Sequence, residues 1–142
     1  MPLSEVNYLA VLTATVAAWF FGALWYTALS KRWVAALGKT MEQIKAEGET
    51  RSRFANIFPF ILSFIAEFIM AIMLYGIMTH SGLFGLRAGM ISGVLIWAGF
   101  VITTLAVNNA YPMRKAMLTV IDGAHWLGVL LIMGAIIGVF GR

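Results

Sequence analysis

Asp122 and His125 stand three residues apart, the spacing that puts two side chains on one face of a helix. A carboxylate beside an imidazole can relay a proton or supply two ligands to a metal ion. Trp126, four residues after Asp122, can turn its indole N–H to that carboxylate. Glu67 is a second isolated acid, eight residues past Pro59 and so roughly 12 Å further along a helix at about 1.5 Å per residue. Thr103, Thr104 and Asn108 bring hydroxyl and amide groups towards the same depth. A metal site needs a third and fourth ligand, and Glu67 alone offers a third, so no resident metal or cofactor is expected. No cysteine is present to supply a thiolate. No hydrolase elbow, phosphate-binding glycine loop, dinucleotide fingerprint or zinc-protease helix accompanies these residues, and Ser63 has no base and orienter in register. The chemistry points away from an enzyme.

The elements that must position these residues are helices in lipid. Of 142 residues, 61% are hydrophobic and 11% charged, against about 45–50% and about 25% in soluble domains. A soluble fold of this size could not hide that much apolar surface. Four stretches, at 8–29, 60–79, 88–107 and 117–140, are long enough to cross a bilayer, which takes about 20 residues. Pro59 suits the first turn of the second helix. Ser81-Gly82 and the loop around Pro112 break the next two junctions, and short connections make neighbouring helices antiparallel. The first stretch has only Glu5 and no Lys or Arg ahead of it, and its apolar run exceeds a signal-peptide core, so it reads as a retained helix. The expected architecture is all-α: residues 1–142 form a single integral membrane domain, a four-transmembrane-helix bundle.

The ten basic residues give the orientation. Lys31, Arg32, Lys39, Lys45, Arg51, Arg53, Arg114 and Lys115 lie in the first and third loops, leaving Arg87 and Arg142 opposite. The positive-inside rule puts those loops in the cytoplasm and both termini outside the cell (inner) membrane. The basic character is thus a topology signal, with no groove or sheet motif to suggest nucleic acid. In the loop 30–57, Trp33, Leu37, Met41 and Ile44 recur at helical spacing. Gly38 should end one short turn, and Thr40 with Gln43 forms a capping box that starts another. This predicts a broken amphipathic segment on the cytoplasmic membrane surface, anchored by Trp33 and basic side chains.

An intramembrane acid costs about 2.5–3.5 kcal/mol on the insertion scale, and the twelve Leu, Ile, Val and Phe residues of 117–140 offset this by roughly 4–7 kcal/mol. Glu67 and Asp122 are therefore expected to face the interior. There they either lock the bundle by hydrogen bonds or carry protons. Small residues recur every four positions: Ala10, Ala14, Ala18 and Gly22; Gly85, Gly89 and Gly93; Gly134 and Gly138. Such stripes let helices approach closely, and their number suggests self-association or other membrane subunits.

The stretch Gly22-Ala23-Leu24-Trp25-Tyr26, then Trp33 and Leu37-Gly38, then Asp122-Gly123-Ala124-His125-Trp126 and Leu131 to Gly138, resembles the small bacterial and fungal membrane proteins of domain-of-unknown-function family 1761. Members often carry Ser-Pro after Trp-Tyr, where this chain has Thr27-Ala28. The resemblance implies a four-helix membrane fold and supplies no activity, ligand or catalytic residue. Two functions remain. One is an accessory or scaffolding subunit, packed through Ala14, Ala18, Gly22, Gly89, Gly93, Gly134 and Gly138 in a homo-oligomer or larger complex. The other is a small oligomeric proton-linked transporter or channel using Glu67, Asp122 and His125, with Trp126, Thr104 and Asn108 beside them.

Overall fold

The computed structural model describes residues 5–142. Five helices follow one another: α1, Tyr8–Ala36; α2, Met41–Thr50; α3, Arg53–Ser81; α4, Leu86–Ala110; and α5, Ala116–Phe140. All but α2 are long and apolar enough to span a membrane, so the protein is an all-α membrane bundle.

The helix ends carry their causes. Asn7 caps α1, its side chain accepting from the Ala10 N–H at 3.1 Å. α1 runs beyond residue 29 through Lys31 and Arg32 to Ala36, and Gly38 at φ 76 stops it just beyond. α2 opens on the expected capping box: Thr40 Oγ1 accepts from Gln43 N, and Gln43 Oε1 accepts from Thr40 N. Its surface is held by Glu47, which accepts from Lys39 at 2.6 Å and from Arg51 at 3.2 Å.

α3 corrects the sequence reading. Ser52 caps it two turns earlier than expected, accepting from Ala55 N, so Pro59 lies inside the helix rather than in its first turn. The missing proline N–H leaves the Ala55 carbonyl without its helical donor. Ala55 is exposed, and the helix continues through Pro59 to Ser81. α4 was expected to be a plain helix and instead contains a wide turn at Trp97–Val101, where Ile102 N donates to Trp97 O, five residues back.

α1 and α5 form the central antiparallel pair, with α3 against α1 and α4 against α5. Lys115 Nζ donates to Ala35 O at 2.8 Å, which brings the first and third loops to one end, here termed the basic end. At the other end Asn7 Nδ2 donates to Phe140 O at 2.9 Å and Gly85 N to Gly138 O at 2.7 Å. The core lies towards that second end: Val11, Ala14 and Ala18 of α1 meet Ala71, Leu74, Tyr75 and Met78 of α3 and Val129, Met133 and Ile137 of α5. Residues 53–62 of α3 are all exposed.

Candidate functional site

Four aromatic donors converge on one turn of α5. Trp25 Nε1 donates to Ile121 O at 3.2 Å. Tyr26 Oη and Trp33 Nε1 donate to Asp122 Oδ1 at 2.8 and 3.1 Å. Trp97 Nε1 donates to Gly123 O at 2.7 Å. Three consecutive residues of α5 are thereby held from α1 on one side and from the wide turn of α4 on the other. Gly123 has no side chain because Ile102, at the end of that turn, fills the space; a Cβ there would lie 2.5 Å from the Ile102 Cδ1.

Trp126 does not serve Asp122 as the sequence suggested. The two donors on the carboxylate come instead from α1, and Trp126 packs edge-on to His125, with centroids 4.9 Å apart. Asp122 and His125 share the face predicted for them, yet no hydrogen bond joins them among the described residues. The imidazole is buried, stacked parallel to Phe21 at 6.1 Å and tilted against Tyr26 at 4.8 Å. Gly22 abuts it, and a Cβ at Gly22 would stand 2.8 Å from His125 Nε2. The Nδ1 atom has no hydrogen-bond partner among the described residues.

Glu67 is a separate centre. It sits on the inner face of α3 with Ala71, Leu74 and Met78, only 2% exposed, and its Oε2 has no hydrogen-bond partner among the described residues. One turn nearer the basic end, Trp19 Nε1 donates to Ser63 Oγ at 3.1 Å and Phe60 O at 3.2 Å. Thr104 and Asn108 are not part of either centre. Thr103 and Thr104 are exposed, with their hydroxyls bonded to Gly99 O and Phe100 O of their own helix, and Asn108 is exposed too. The amide that crosses to α5 is that of Asn109, donating to Thr119 Oγ1 at 3.0 Å.

The small residues are used within the subunit. A Cβ on Gly89 would collide with Gly134 O, one on Gly134 with Gly89 O, one on Gly93 with Leu130 O, and one on Gly138 with Gly85 O. Ala10, Ala14, Ala18 and Gly22 are buried in the α1 interfaces. The surplus of small faces that suggested self-association is absorbed by the α4–α5 and α1–α5 contacts.

The sequence reading places Trp33 at the membrane surface and misses the hydrogen bonds that Trp25, Tyr26 and Trp33 make. The signal was present: Ala10, Ala14, Ala18, Gly22 and Tyr26 continue one stripe at spacing four, and Trp33 lies seven residues on, two turns along the same face.

Away from both centres, a groove of about 350 Å³ near the other end is lined by Asn7, Leu9, Ala10, Thr13, Ile136 and Phe140. Among the described residues no three His, Asp or Glu side chains lie close enough to hold a metal ion. A family model described as Protein of unknown function (DUF1761) matches residues 9–138. No curated protein and no solved structure matches the chain.

Proposed function

The chain belongs to the DUF1761 family, and from that premise we propose that it is a non-enzymatic accessory or scaffolding subunit of the inner membrane. The observation that carries this reading is the saturation of Asp122 Oδ1 by Tyr26 and Trp33. A carboxylate bound by two fixed donors, with the adjacent carbonyls of Ile121 and Gly123 held by Trp25 and Trp97, acts as a structural lock between three helices. With the small faces used internally, other subunits or a second copy would meet the outer flanks of α3 and α4, where Phe58, Ile61, Ile65, Leu95 and Phe100 are exposed. The eight basic residues at one end favour cytoplasmic loops and external termini. The test is native mass analysis after gentle extraction from the protein's own membrane. A stoichiometric complex is the expected result, and a monomer under every mild detergent overturns the reading.

A second reading rests on Glu67. A buried acid with an unpartnered oxygen is an expensive way to lock helices, and it suits a proton-exchanging site. Vesicles carrying the wild type should then dissipate an imposed pH gradient and those carrying Glu67→Gln should not. Traces matching empty vesicles for both would end this reading.

A further inference from the structure

We infer that Glu67 is the anionic half of a binding site for a hydrophobic monovalent cation, entered from the side where α3 leaves the bundle. The inference rests on the second reading above, in which Glu67 gives up its proton. Three observations converge. Glu67 is 2% exposed, and its Oε2 has no hydrogen-bond partner among the described residues, so the chain supplies the charge-bearing group without its complement. The residue also marks a boundary. From Glu67 onwards α3 buries Ala71, Leu74, Tyr75 and Met78, whereas residues 53–62 are all exposed, touched by α1 only where Trp19 meets Phe60 O and by α2 where Asn56 meets Gly48 O among the described hydrogen bonds. Finally, aromatic surface lies one turn away on the same face. Trp19 stands edge-on to Phe64 with centroids 6.1 Å apart, and its indole is pinned by Ser63 Oγ and Phe60 O.

Those features select the ligand by its chemistry. A carboxylate in hydrocarbon attracts a cation, and a small hydrated one would need several more oxygen ligands to replace its water. An organic cation with an apolar body needs none, because aromatic faces stabilise its charge and dispersion holds its body. The empty site keeps its proton, since an isolated carboxylate there is costly. On binding, the Glu67 O–H bond breaks, the proton passes to water, and the carboxylate pairs with the incoming cation. Charge in the site is conserved and nothing is oxidised or reduced. α1 and α5 both pack against α3, and of the residues they bury only His125 titrates, held between Phe21, Tyr26 and Trp126.

The test uses the full chain in detergent with tetraphenylphosphonium as probe, by calorimetry in phosphate and in Tris. The difference in heat between the two buffers counts protons released. The wild type should bind saturably and release about one proton per cation bound. Glu67→Gln should weaken binding by about ten- to a hundredfold, and Glu67→Asp, which keeps the charge, should retain both binding and proton release. Saturable binding absent from the wild type, equal binding by Glu67→Gln, or binding without proton release each overturns the inference. Should Glu67→Gln not remain monodisperse, the wild-type proton count and the Glu67→Asp variant still decide it. If wild-type vesicles dissipate a pH gradient while the probe fails to bind, the cation site falls and proton exchange stands. If neither occurs, both fall.

Discussion

Gly22 of α1 backs onto the His125 imidazole of α5, and a single methyl group at Gly22 would stand 2.8 Å from the ring nitrogen Nε2. The ring has little freedom to withdraw, because Phe21, Tyr26 and Trp126 surround it. Overpacking of this kind costs about 1–3 kcal/mol. Gly22→Ala should therefore lower the unfolding midpoint in detergent, and Gly22→Val should lower it further. Gly48→Ala is the control. Nothing lies within 4 Å of its Cβ, and alanine improves helix propensity, so that variant should be neutral or stabilised.

The two donors on Asp122 Oδ1 should be coupled. Tyr26→Phe and Trp33→Phe each remove one hydrogen bond, and interhelical bonds in membranes are worth about 0.6 kcal/mol on average and up to about 1.7 kcal/mol. Either single change leaves the acid one partner, whereas the pair leaves Oδ1 with none. Unfolding titrations in mixed micelles should show the double variant losing more than the sum of the singles. Simple additivity would mean that the carboxylate is satisfied by water.

Residues 60–79 and 117–140 disclosed their helices because lipid leaves a backbone no other way to satisfy its N–H and C=O groups. Orientation within the bundle was harder to read. A span that is apolar all round carries no signal for which side faces protein, so Thr104 and Asn108 were assigned inward and lie outward. Trp33 was read as a surface anchor because the apolar run ends at residue 29. The helix continues to Ala36 and carries the indole back against Asp122. The wide turn at Trp97–Val101 left no mark in residue types. Trp97 at its start reaches Gly123 O, and Ile102 at its end fills the space over Gly123.

The α4–α5 contact should be less forgiving than the His125 cage. Each Cβ added at Gly89, Gly93 or Gly134 meets a backbone carbonyl of the opposing helix, and one at Gly138 meets that of Gly85, the residue that precedes α4. A side chain can change rotamer, but a carbonyl moves only with its helix. Gly134→Ala should destabilise by at least the overpacking cost of about 1–3 kcal/mol, and Gly89→Leu with Gly93→Leu should detach α4. The check is protease sensitivity of the 111–115 loop together with the amount of protein in the membrane. A normal bundle with altered complex size would show instead that this stripe serves a partner.

The α2 surface should respond to acid. The Lys39 hydrogen bond, aided by the charges of Lys39 and Arg51, holds the Glu47 carboxyl below the usual carboxylate range. A depressed folded value means that the contribution is fully present above the unfolded pKa of about 4.3 and is lost as pH falls through the lower folded value. Hydrogen exchange of the α2 amides, normalised to the intrinsic rate at each pH, should show protection constant above the unfolded carboxylate value and falling as the pH drops below it. Glu47→Gln should weaken that dependence and leave the part due to Glu42, whose carboxyl is held low by its own backbone N–H and the Thr40 hydroxyl. Protection that weakens as pH rises would contradict the assignment.

Orientation is the last expectation, and the depth of both polar centres depends on it. Eight basic residues flank one end of the bundle and two the other. The Lys115 Nζ–Ala35 O contact fixes the two basic loops on a common side, so they must be inside or outside together. By the positive-inside rule a reporter active only outside the cytoplasm should be active when fused after Arg142 and silent when inserted between Lys45 and Arg51. A cytoplasmic reporter should give the reverse. With that orientation, the Asp122 lock lies in the cytoplasmic half and Glu67 midway along α3, so a proton or cation leaving Glu67 along the exposed half of α3 would emerge in the cytoplasm. The opposite reporter pattern would turn the whole bundle over and direct that exit outwards.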